Sequence, residues 1–118
     1  MDLQLLNKNA IVTGAGRGIG LAVVNALLAE GARVTAVSRS NTPETGELEA
    51  NDHFRFLAAD LNDPADITRV AKQIGSPVHV LVNNVGSAPS RPGGFETITD
   101  EDWLRTLSLN TLAAVRLT

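Results

Sequence analysis

Along the chain, short apolar runs alternate with stretches in which apolar residues return every three or four positions. Ala10-Ile11-Val12, within Asn9 to Thr13, is bounded by polar residues and then by glycines, as expected of a strand covered on both faces. From Gly18 onward Ile19, Ala22, Val23, Ala26 and Leu27 recur at helical spacing, and Gly31 stands where a helix stops. Leu21, Val24 and Leu28 are apolar too, which predicts a helix buried around most of its circumference. Ala32 to Ser38 supplies a second strand through Val34, Ala36 and Val37, and the polar stretch Ser40 to Asp52 predicts a loop with at most a short helix. A third strand is expected over His53 to Ala59, ending in Asp60. Asp63-Pro64 then opens a helix with Ile67, Val70, Ala71 and Ile74 on one face and Gly75 to Pro77 as its stop. Val78 to Val82 is a fourth strand, almost wholly apolar. His53 and His79 have no partner spacing and read as ordinary strand residues.

A loop rich in Ser, Pro and Gly follows to Thr97, and Thr99-Asp100-Glu101-Asp102 resembles a capping box. The helix behind it carries Trp103, Leu107, Thr111 and Ala114 at helical spacing, a face expected to be buried, with Asn110 sharing it. The alternation of strands and helices predicts an α/β fold, a parallel sheet with helices on both faces, of the doubly wound type and strand order 3-2-1-4. Four strands supply little more than one half of such a fold, and the last helix has no stop signal before Thr118. The expectation is therefore an incomplete domain, residues 1–118 forming its N-terminal portion, with the fourth strand as an open edge.

Composition narrows the chemistry. The 118 residues hold 10 Lys+Arg against 13 Asp+Glu, a formal charge of −3. That balance argues against nucleic acid or an anionic membrane surface as partner. With no Cys and two His, neither a thiol nucleophile nor a metal set is expected. Met1 to Lys8 lacks a basic leader and a long apolar stretch, so no signal segment is expected and the location by default is cytoplasmic.

Thr13-Gly14-Ala15-Gly16-Arg17-Gly18-Ile19-Gly20 lies between a predicted strand and a predicted helix. In that context glycines permit a tight turn and close approach of a pyrophosphate, and the helix N-terminus aims its unpaired N–H groups at the anion. Readers of NAD in this arrangement place an acidic residue about 20 positions further on, to bind the ribose 2′-OH. Here Ser38-Arg39 occupies that place. Arg39 cannot accept a hydrogen bond but suits a 2′-phosphate, and Arg17 adds a second charge, so NADP is favoured over NAD. The plainer alternative is two solvated surface arginines.

These residues resemble the short-chain dehydrogenase/reductase family, in its single-domain branch. Thr13-Gly14-x-x-x-Gly18-Ile19-Gly20 has that branch's glycine spacing, and Asp60-Leu61 looks like its adenine-contacting pair. Asn83-Asn84-Val85-Gly86 resembles its Asn-Asn-Ala-Gly motif, with Val85 in place of the usual Ala. Asn110 matches the helix asparagine that in the family helps hold a proton-relay water, and it is the one catalytic candidate. Structural readings stand beside these. Asn110 can be a core amide bonded only to backbone, where an unpaired amide would cost about 1–3 kcal/mol. Asn83 and Asn84 can tie strands and loops together, and Asp60 can cap a turn. Ser87, Ser90 and Arg91 lie in the loop that in the family lines the substrate approach.

The resemblance implies an NADP-dependent oxidoreductase acting on a small carbonyl or alcohol substrate, with a homo-oligomer plausible for the full-length family member. It also implies a Ser and a Tyr-x-x-x-Lys pair that have no matching positions here, since the sequence contains no tyrosine. A general acid/base contributes about 10²–10⁴-fold, so this chain alone is not expected to be a competent dehydrogenase. Two other readings remain open at this point, a non-catalytic NADP-binding or sensing module and an inert truncated fragment.

Overall fold

The computed structural model describes residues 1–75, 77–88 and 90–118. Ser76, inside the predicted stop of the third helix, and Pro89, in the loop after the fourth strand, lie outside the described residues. Four strands, β1 (Asn9–Thr13), β2 (Arg33–Ser38), β3 (Phe54–Ala58) and β4 (Val80–Val82), form a parallel sheet in the order β3-β2-β1-β4. The expected order is thus the observed one. Between and after them lie α1 (Gly18–Ala29), α2 (Pro43–Leu48), α3 (Pro64–Ile74) and α4 (Asp100–Leu107). A wide turn of the i→i+5 type over Ser108–Leu112 joins α4 to α5 (Ala113–Leu117).

Period-two alternation divides each strand between two cores. Ala10, Val12, Val34, Ala36 and Phe54 face α1, where Val24 is fully buried among them. Ile11, Val37, Leu57 and Leu81 face the other way, onto Ile67 and Val70 of α3 and Ala113 of α5. A fully buried Val, Leu or Ile contributes about 1.5–3 kcal/mol, so both layers are needed to hold the sheet. Asp63 caps α3 by accepting the Ala65 N–H at 2.9 Å, Pro64 fills the first helical position, and Gly75 ends the helix at φ 67°.

Several sequence expectations are corrected. Although α1 is apolar nearly all round, it buries only Gly20 and Val24 fully, and Ile19, Ala22, Ala26 and Ala29 are exposed. One helix face meets the sheet, and among the described residues nothing covers the opposite one. The Trp103 and Leu107 face of the last helix is also exposed, at 46% and 52%. The buried contacts come instead from Leu109, Ala113 and Leu117. The wide turn rotates residues out of the 3.6 period on which the expected face rests, and it leaves Asn110 exposed. In the loop, Phe95–Thr97 forms a 3₁₀ turn that places Phe95 edge-on to Trp103, ring centroids 6.1 Å apart.

β4 begins two residues later than expected because a side chain enters the ladder. His79 Nδ1 accepts the Asn9 N–H at 3.0 Å while the His79 N–H donates to the Asn9 carbonyl at 2.9 Å. Asn9 Nδ2 in turn donates to the Pro77 carbonyl at 2.8 Å. His79 is therefore a bridge at the start of β4 and not a plain strand residue.

Candidate functional site

Every strand of this sheet delivers its following segment to the same end, and the four segments wall a groove of about 970 Å³. In open parallel sheets this carboxyl end, where connections diverge to opposite faces, is where ligands bind. The first wall is the glycine loop. Gly14 takes φ 63°, and its N–H donates to the Val37 carbonyl at 3.0 Å. A Cβ on Gly20 would collide with the Gly14 carbonyl oxygen and stand 2.6 Å from Asn84 Nδ2, so only glycine lets α1 start this close to the strand. Arg17, in extended backbone, precedes α1 without donating or accepting a side-chain cap, and no acidic residue lies in the first turn. The N-terminal N–H groups of α1 thus face the groove without a side-chain acceptor among the described residues.

Thr13 is fully buried behind this loop and connects it to the segment after β4. Its hydroxyl oxygen accepts the N–H groups of Asn84 at 3.0 Å and Val85 at 3.2 Å, and the hydroxyl donates to the Val82 carbonyl at 3.4 Å. Asn84 Nδ2 answers by donating to the Gly14 carbonyl at 3.2 Å. The Thr13 hydroxyl went unassigned in the sequence reading, although its place before the first glycine was the available signal.

The second wall follows β2. Ser38 and Arg39 line the groove, the Ser38 hydroxyl donating to the Ser40 carbonyl at 3.0 Å. The ion pairs among the described residues are Arg69–Asp66 and Arg91–Asp102, so Arg17 and Arg39 reach the groove with no carboxylate partner among those residues. Thr42, which sequence reasoning passed over, also lines it and donates its hydroxyl to the Gly16 carbonyl at 2.9 Å.

After β3, Asp60 stands at the groove with its carboxylate accepting the Asn62 N–H at 3.0 Å, while Leu61 is 2% exposed. Asp66 fixes this turn from beneath by accepting the Asp60 N–H at 2.8 Å, and that bond, with help from Arg69, holds its carboxyl below the usual range. Asn62 Oδ1 is buried without a hydrogen-bond partner among the described residues.

After β4, Asn84, Val85 and Gly86 line the groove, but Asn83 is not among its lining residues and donates to Thr118 Oγ1 at 3.3 Å. Gly20 is likewise behind the wall. Asn110 does not line the groove either. Its Nδ2 donates to the carbonyls of Ser87 at 2.6 Å and Thr106 at 2.9 Å, and its Oδ1 accepts the Ser87 N–H at 3.0 Å. Beyond Ser87 the rim is closed by Arg91, whose guanidinium grips Asp102 through bonds of 2.7, 2.8 and 3.2 Å. Asp102 also accepts the Thr99 N–H at 3.0 Å, and the Arg91 bond leads the causes that bring its pKa down to about 2. No pair spaced eleven residues apart is suggested by sequence periodicity, so this latch was not foreseen.

Among the described residues no group of three His, Asp or Glu is placed to hold a metal ion, and no helix is long and apolar enough to cross a membrane. Residues 8–118 match the family model described as short chain dehydrogenase. The chain is 40% identical to the short chain dehydrogenase andC of Emericella variicolor, over 96% of this chain and 45% of that protein. It is 37% identical to the L-xylulose reductase of Bos taurus, over 99% of this chain and 47% of the other. Among solved structures it superposes on L-sorbose reductase from Gluconobacter frateurii, complexed with NADPH and L-sorbose, with TM-score 0.85 and 30% identity. That likeness covers 99% of this chain and 47% of the other. The chain spans about half the length of the curated relatives it matches. With the groove at the strand ends, the glycine loop on α1 and a family match over nearly all its length, the chain belongs to the short-chain dehydrogenase family.

Proposed function

We propose that this chain is the cofactor-binding part of an NADP-dependent oxidoreductase that exchanges hydride between nicotinamide and a carbonyl or alcohol carbon. The observation that carries the reading is the pairing of an α1 N-terminus without a side-chain cap with two arginines, Arg17 and Arg39, that have no carboxylate partner among the described residues. This donor set fits a dinucleotide with a third phosphate. Gly14, Gly16, Gly18 and Ile19 border the pyrophosphate at the helix N-terminus, with Gly20 allowing the close helix start. Ser38, Arg39 and Arg17 take the 2′-phosphate, where paired guanidinium donors match the oxygens. Asp60 and Leu61 flank the adenine, and Asn84, Val85 and Gly86 border the path toward the nicotinamide, Asn83 bracing that segment from behind.

NADP supplies the hydride chemistry when bound. The family's phenolic acid/base is not among these 118 residues, which contain no tyrosine, so the part of this chain is to bind and orient. Asn110 holds the Gly86-Ser87 segment in place through main-chain bonds, and the family's water-holding role would add to that. The relatives' names, L-xylulose reductase and L-sorbose reductase, support a small polar carbonyl or alcohol as the substrate class. Calorimetric titration of the purified chain tests the reading. It predicts saturable NADPH binding, tighter than NADH, with a raised melting temperature, whereas absence of saturable binding by either nucleotide overturns it.

A further inference from the structure

We propose that Thr42 is a positioning residue for cofactor preference, holding the two arginine-bearing segments of the groove at a fixed separation. Arg17 and Arg39 belong to different connections, the β1–α1 loop and the β2–α2 turn, and as like charges they repel. The Thr42 hydroxyl joins these connections directly, donating to the Gly16 carbonyl at 2.9 Å across 26 residues of sequence. Gly16 adjoins Arg17, and Thr42 lies three positions beyond Arg39.

The bridge is itself braced. Thr42 Oγ1 accepts the Thr45 N–H at 3.2 Å, and Thr45 Oγ1 accepts the Thr42 N–H at 2.9 Å. Thr45 is fully buried and its hydroxyl donates to Asn41 Oδ1, so the rotamer of Thr42 is held from both sides. The contact is close as well as directional: a Cβ on Gly16 would stand 3.2 Å from the Thr42 methyl and 3.4 Å from the Ser38 hydroxyl. A cap serving α2 alone would need only the bonds to Thr45. The additional bond to Gly16 couples the turn that carries Arg39 to the backbone that carries Arg17.

This proposal rests on the NADP reading above. A ligand bearing a 2′-phosphate needs both cations in register, while NADH needs neither, so loosening the bridge discriminates between them. The test is titration of the full chain and of Thr42→Val, which keeps the shape and removes both the donor to Gly16 and the acceptor for the Thr45 N–H, with NADPH and NADH. The expected result is NADPH binding weakened by about fivefold or more with NADH changed by less than about twofold, and recovery in Thr42→Ser. In an Arg39→Ala background Thr42→Val should add little further NADPH loss, because the bridge then has one cation to position. Thr42→Ala serves the same comparison if Thr42→Val does not melt cooperatively. Equal loss for both nucleotides, or an unchanged NADPH to NADH ratio, overturns the proposal and leaves the NADP reading standing. A wild-type chain without NADPH preference overturns both.

Discussion

Asn110 and Ser87 bond to each other twice, the amide nitrogen donating to the Ser87 carbonyl at 2.6 Å and the amide oxygen accepting the Ser87 N–H at 3.0 Å. This exchange clamps the segment after β4 to the wide turn between α4 and α5, and it favours glycine at position 86, since a Cβ there would stand 2.8 Å from Asn110 Oδ1 and displace the amide from Ser87. Asn110→Ala removes both bonds and the one to Thr106. It is expected to destabilise the fold by about 1–2 kcal/mol, given the exposure of the site, and to speed amide hydrogen exchange at Ser87 selectively. Asn110→Asp keeps the acceptor and loses the donor, so Ser87 protection should fall less. Unchanged exchange at Ser87 in Asn110→Ala would show that the clamp carries no load.

Two glycines should respond in opposite directions. Gly20→Ala puts a methyl into the Gly14 carbonyl and Asn84, so the start of α1 must move away from β1 at a cost of more than about 2 kcal/mol, with loss of nucleotide binding. Gly46, inside α2, has nothing within 4 Å of its Cβ direction, and Gly46→Ala should raise stability by about 0.5–1 kcal/mol. Chemical denaturation of both variants checks the pair, and a neutral Gly20→Ala would contradict the geometry of the loop.

The Arg91–Asp102 latch makes a pH prediction. The Asp102 carboxyl is depressed from 3.8 to about 2, led by the Arg91 hydrogen bond, so its ionised form is the one that closes the rim. Stabilisation from a depressed carboxyl is complete above its unfolded pKa and is lost as pH falls through the folded value. The latch should therefore hold unchanged from neutral pH to about 4 and open only as pH approaches 2. NMR titration of the Asp102 carboxyl measures this directly. Arg91→Ala should raise its midpoint while leaving it below an ordinary aspartate, because the Thr99 N–H still donates to the carboxylate.

What the sequence disclosed and what it withheld follow from the range of the interactions. The Ala10-Ile11-Val12 run and the glycines after it announce β1, the loop and α1, because strand burial and helix start are set by neighbours in sequence. Asp63-Pro64 and Gly75 likewise announce α3. The last helix departs from its expected phase because the wide turn at Ser108–Leu112 breaks the period without any Gly or Pro to mark it. Thr13 with Asn84, Thr42 with Gly16 and Arg91 with Asp102 are pairings across long stretches of chain or through a loop, and no local pattern encodes them. Asn83 illustrates the same limit: it belongs to the motif that lines the groove, yet its side chain bonds to Thr118 behind it. Motif membership identified the segment, and only the sheet geometry decided which side chains face the groove.

Whether the groove selects a 2′-phosphate is read from the affinity of Arg39→Ala for NADPH and NADH against that of the unaltered chain. NADPH binding should weaken by at least about tenfold, some 1.4 kcal/mol, with NADH binding within about twofold of its original value. Equal losses for the two nucleotides, or none for either, would contradict it.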